Sequence, residues 1–158
     1  VYRIIALDTG PSGIVCDDPR KETVQRITAR MTQLLSDGRT QIILPEIADF
    51  EVRRKLLSLP HGAASVRRLD DLVKPGGLLV YVPITTAAMR TAAGLWAQAR
   101  KSGYSTADPS AIDGDVILAA QALEYVGQGD QLWVATGNVK DLARYVGKSA
   151  RPWEDIIP

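Results

Sequence analysis

Asp8, Glu51, Asp113 and Asp115 each stand near a junction where an apolar, strand-like run gives way to a helix-like segment. Carboxylates are hard oxygen donors, and several that converge can hold a divalent cation that assists hydrolysis. Softer ligation is excluded, because Cys16 and His61 are the only residues of their kinds and cannot build a zinc site of Cys/His type. Asp8 follows Ile4-Ile5-Ala6-Leu7 and precedes Thr9-Gly10-Pro11-Ser12-Gly13, which reads as a turn. The plainer role for Asp8 is to cap the next helix. Gly and Ser here do not make a phosphate loop, since no Gly-Lys-Ser/Thr follows. In Pro45-Glu46-Ile47-Ala48-Asp49-Phe50-Glu51-Val52-Arg53-Arg54, Glu46 and Asp49 suit a helix first turn, where the macrodipole favours anions. Glu51 lies deeper in the helix and needs another explanation; Arg54 is expected to neutralise part of its charge. Of Asp113 and Asp115, one can be a helix N-cap, and two acids so placed repel unless a cation is present. Thr136, Asn138 and Asp141 follow a fourth apolar run and either order metal-bound water or cap a helix.

These residues meet only if the elements that carry them bring one sheet edge together. Arg3 to Leu7, Gln41 to Leu44, Leu78 to Val82 and Gln131 to Ala135 are rich in Ile, Leu and Val and read as buried strands. Between them, 21–35 places Val24, Ile27, Met31 and Leu34 or Leu35 on one helical stripe, stopped by Ser36-Asp37-Gly38. Pro45 fits the first turn of a helix that runs to Pro60, and 62–74 reads as another. Thr85 to Lys101 aligns Met89, Ala92, Ala93, Trp96 and Ala99, and 114–125 turns Val116, Ala119, Ala120 and Leu123 inward. The stretch 103–112 has no periodicity and reads as a loop, with Tyr104 a candidate for stacking on an unpaired base. Residues 151–157 could add a short edge strand. Strands alternating with helices predict an α/β fold, a three-layer sandwich around a central, mostly parallel sheet, formed by 1–158 as one domain. Parallel strands put their C-terminal ends on one edge, and there Asp8 and its counterparts would meet.

Composition narrows the partners. No apolar run approaches the roughly 18 residues that span a bilayer, and the first is broken by Asp8, so neither a membrane segment nor a secretory leader is expected. The expected location is the cytoplasm. With 19 basic and 18 acidic residues the net charge is +1, so attraction to nucleic acid has to be local. Basic clusters at 53–55, 67–68, 100–101 and across Lys140, Arg144, Lys148 and Arg151 read most simply as solvated helix faces and ends.

Leu7-Asp8-Thr9-Gly10, the helix at 45–56, the segment Asp113-Gly114-Asp115-Val116-Ile117-Leu118-Ala119-Ala120 and Val134-Ala135-Thr136-Gly137-Asn138 together resemble, in order, the four signature regions of PIN (PilT N-terminal) domain nucleases. The small size further resembles VapC-type toxins of toxin–antitoxin pairs. The resemblance implies an endoribonuclease dependent on Mg2+ or Mn2+, held by Asp8, Glu51 and Asp115, with Asp113 assisting and Asn138 at the fourth acidic position. Asn138 departs from the acid often found there, and Gly127-Gln128-Gly129-Asp130 lengthens the preceding loop. Thr9, Arg53, Arg54, Thr136 and Lys140 would bind the RNA substrate. A homodimer and a cognate antitoxin are the implied partners. The alternative is a PIN-like module that binds RNA or a partner and has lost turnover. A phosphatase of haloacid dehalogenase type wants a second Asp two residues after the first, and Gly10 stands there.

Overall fold

The computed structural model describes residues 1–104, 108 and 113–158. Strands β1 (Arg3–Leu7), β2 (Thr40–Pro45), β3 (Val80–Val82), β4 (Gln131–Ala135) and β5 (Ala150–Arg151) form one sheet in the order β3-β2-β1-β4-β5. Every pairing is parallel. Parallel strands need crossovers, and among the described residues seven helices supply them and cover the sheet, giving the expected three-layer α/β sandwich. The helices are α1 (Thr9–Val15), α2 (Glu22–Leu35), α3 (Glu46–Leu57), α4 (Ala63–Val73), α5 (Thr86–Lys101), α6 (Gly114–Tyr125) and α7 (Val139–Val146).

The centre of the sheet is buried on both faces, which is why β1 and β2 read as unbroken apolar runs rather than alternating ones. Ile4 through Leu7 and Ile42 through Leu44 are all at most 2% exposed. In register, Ala6 lies between Ile43 and Val134, and Leu7 opposite Ala135, so Asp8 and Thr136 emerge side by side at the C-terminal edge. Leu34, not Leu35, completes the α2 stripe with Val24, Ile27 and Met31. The weak C-terminal signal becomes the two-residue β5 at the sheet edge. Beyond it, Arg3 and Arg30 donate to the carbonyls of Ile157 and Ile156 at 3.1 and 3.2 Å, fixing the tail across the fold.

Some expectations need correction. The segment after Asp8 is helix α1, not a turn: Pro11 falls in its first turn, where the backbone N–H groups lack intrahelical partners and proline forfeits no bond. Pro45 ends β2 and precedes α3 instead of entering it. The buried stripe of α5 is Ala88, Ala92 and Ala99, while Met89 is 44% exposed and Ala93 faces solvent. In α6 every residue from Val116 to Ala122 is buried, but Leu123 is not. That helix packs on α5, α3, α7 and the sheet at once, so no single stripe could describe it. The candidate loop at 103–112 falls largely on residues outside those described; Tyr104 is exposed, and the Arg144 guanidinium lies over its ring at 5.3 Å.

Candidate active site

Asp8 is only 8% exposed, although it follows the last residue of β1. One carboxylate oxygen accepts the Thr9 amide at 2.7 Å and so caps α1; the other accepts the Thr136 hydroxyl at 2.7 Å. Thr136 stands just past β4, with 1% exposure, and its own oxygen accepts the Asn138 amide at 2.8 Å. A hydroxyl has one proton, so the bond from Asn138 leaves Thr136 to aim that proton at Asp8. Capping and site-building are therefore the same act for Asp8, and for Thr136 the contact is with the carboxylate.

Glu51 reaches the same edge from the second turn of α3, where its carboxylate accepts the Thr9 hydroxyl at 2.5 Å. Asp113 caps α6 by accepting the Val116 amide at 3.3 Å, leaving Asp115 free in the first turn. The Asn138 side-chain amide approaches Asp115 at 3.4 Å, too long for a strong bond. Burial, with the charges of Asp8, Asp113, Asp141 and Glu51, pushes the Asp115 carboxyl up from 3.8 to about 6. The N-termini of α1, α6 and α7 all point at this edge, and their dipoles offset part of the accumulated negative charge.

No ion pair among the described residues involves Asp8, Glu51, Asp113 or Asp115. Arg54 does not neutralise Glu51; its guanidinium lies over the Phe50 ring at 5.1 Å, on the exposed side of α3. Arg53 bridges Asp49 and Asp70 at 2.9 and 2.8 Å and ties α3 to α4. Lys140 is exposed in the first turn of α7. The donor set fits a hard divalent cation in type and charge, since it consists of oxygens with uncompensated negative charge. Among the described residues, however, no three acidic, His or Cys side chains stand close enough to make a ready cage. Closing on an ion would require the carboxylates to draw together.

Two residues of this edge escape the sequence reading. Tyr145 lies near Asp113, and burial followed by the charge of Asp113 raises its phenol. It lies seven residues after Asn138 and four after Asp141, a helical spacing that could have placed it on the same face. Gly114 lies directly under Glu51, a proximity across 63 residues that has no local signal.

Among solved structures, VapBC-1 from nontypeable Haemophilus influenzae contains a chain with 17% identity and a TM-score of 0.68, covering 96% of this chain and 99% of that one. VapBC2 from Rickettsia felis, bound to a promoter DNA fragment, matches at 13% identity and TM-score 0.67, covering 95% and 98%. FitAcB from Neisseria gonorrhoeae matches at 18% identity and TM-score 0.65, covering 96% and 99%. The fold is PIN-like. At these identities the likeness is one of backbone, and no family model or curated protein matches the sequence. Within this PIN-like frame the acids at the ends of β1 and at the start of α6 occupy the carboxyl edge of the sheet, where open α/β folds place their ligands.

Proposed function

We propose that this chain is a divalent-metal-dependent endoribonuclease acting as the toxin of a toxin–antitoxin pair. The observation that carries the reading is the convergence of Asp8, Glu51, Asp113 and Asp115 on one sheet edge, where burial and then mutual charge raise Asp115 to about 6. A partly buried acidic cluster of this kind is costly unless a cation compensates it. Asp8, Glu51 and Asp115 would hold Mg2+ or Mn2+, with Asp113 and Asn138 beside them. The ion, when bound, supplies stabilisation of negative charge on the scissile phosphate and a water more easily deprotonated. The chain's own contribution is orientation: Thr136 fixes Asp8 and Thr9 fixes Glu51 by single hydroxyl bonds. Arg54 and Lys140 offer exposed positive charge to the RNA backbone, which gives affinity without sequence reading. Arg53 serves the substrate less directly, through the α3–α4 tie made with Asp49 and Asp70. The structural likeness to VapBC and FitAB supports a cognate antitoxin as partner; the assembly we propose is a homodimer.

The test is cleavage of structured RNA by the purified chain with Mg2+ or Mn2+, with excess EDTA, and by D8N. Cleavage is expected only for the wild type with metal; wild-type activity that survives EDTA would overturn the mechanism. A second reading, a module that binds RNA or a partner without turnover, is favoured by Asn138, whose neutral amide faces Asp115. Divalent-metal titration separates the two. An intact site at 100 times its dissociation constant stabilises the fold by about 2.7 kcal/mol, whereas no change in melting temperature, with RNA binding retained, selects the module.

A further inference from the structure

We infer that Gly114 and Thr9 are positioning residues for Glu51, gripping its carboxylate between the first residues of two helices. Thr9 opens α1 and donates its hydroxyl to one carboxylate oxygen at 2.5 Å. Gly114 opens α6, and the other oxygen occupies the space a side chain would need: a Cβ at 114 would collide with that oxygen and lie 3.2 Å from the carboxyl carbon. Gly114 has ordinary helical backbone, with no positive φ to require glycine. Its missing side chain therefore matters to Glu51 and not to the course of the chain. The colliding atom is the free end of a flexible side chain, so an alanine is accommodated by the fold and Glu51 is what yields. Alanine is also the better helix former, which sets stability and function in opposition at this position.

The inference rests on the metal reading for its functional meaning, and the experiment separates the two. Mn2+ uptake, read from the loss of the free-ion electron paramagnetic resonance signal, is compared in wild type, G114A, T9V and T9S. G114A should keep or raise the melting temperature yet bind Mn2+ about 10- to 100-fold more weakly, the range seen when supporting partners of a metal ligand are removed. T9V should weaken binding similarly, and T9S, which keeps the hydroxyl, should restore it. In the E51D background, whose shorter carboxylate stands back from residue 114, G114A should add no further loss. A crystal structure of G114A should show Glu51 withdrawn from Thr9. G114A that binds Mn2+ as tightly as the wild type, or that keeps Glu51 on Thr9, overturns the inference. A wild type that takes up no Mn2+ refutes the metal reading instead, and the position of Glu51 in G114A then decides the inference alone.

Discussion

Asp115 concentrates the electrostatic tension of the site in one titration. Its carboxyl is raised from 3.8 to about 6, so between those pH values the folded chain holds a proton that the unfolded chain has released. Stability of the metal-free protein must therefore fall as pH rises through this window and stay lower above it. Unscreened, the penalty would be about 3 kcal/mol at ~1.4 kcal/mol per pH unit. Asp115 is only partly buried, and solvent screening reduces this to about 1 kcal/mol. D115N should thus stabilise the metal-free chain at pH 7 by about that amount in urea denaturation, and abolish cleavage. Destabilisation at pH 7 would show that Asp115 is held by favourable contacts and is not under repulsion. For the wild type, metal binding must displace the Asp115 proton, so Mg2+-dependent cleavage should decline as pH drops through about 6. A pH–rate profile at saturating RNA and subsaturating Mg2+, flat down to pH 5, would exclude Asp115 from the metal site.

The site depends on elements whose placement is set far from it, and α6 is the clearest case. Gln121, 1% exposed, donates to the Val82 carbonyl at 2.7 Å and accepts the Ile47 amide at 3.2 Å. One side chain thereby pins α6 to the end of β3 and the start of α3, and so fixes the distance between Asp115 and Glu51. Gln121→Leu keeps the volume but orphans a buried carbonyl and a buried amide, at about 1–3 kcal/mol each. Urea denaturation should show a loss of at least about 2 kcal/mol, and a near-neutral result would mean that water reaches both groups. Nothing in the sequence marks Gln121, because its partners lie 39 and 74 residues away. The legible parts were those with local causes. Strands β1 and β4 are apolar runs ended by polar residues, and they match the expected bounds residue for residue. Helix α1 was not legible, since Gly10, Pro11 and Gly13 are turn formers and only the Asp8 cap and packing on α2 and α3 hold them helical. The acids of the site were legible by type and order, but the partner of Glu51 was not. Arg54 is three residues from Glu51 and Thr9 is 42 residues away, and tertiary placement favoured the distant hydroxyl.

At the scale of the whole molecule, an all-parallel sheet gathers anionic residues at one edge while the total charge stays near neutral at +1. Of the 19 basic residues, five are ion-paired to acids among the described residues, and none of these pairs reaches Asp8, Glu51, Asp113 or Asp115. Arg20 pairs with Asp18, Lys21 with Asp17, Arg53 with Asp49 and Asp70, Lys74 with Asp71, and Arg144 with Asp141. Of the exposed cations, Lys140 lies nearest in sequence to Asn138, and we expect an RNA strand at the acidic edge to be held by only two or three such contacts. Single-stranded RNA releases about 0.7 counterions for each phosphate neutralised, so two or three contacts give a log–log salt slope of about −1.4 to −2. Binding of a short RNA to the inactive D8N variant, titrated at several salt concentrations, should give a slope in that range, and Lys140→Ala should flatten it by about 0.7. A slope steeper than about −4 would require a continuous basic track. Affinity would then come from long-range charge, in place of the few local contacts that this near-neutral fold presents around its acidic edge.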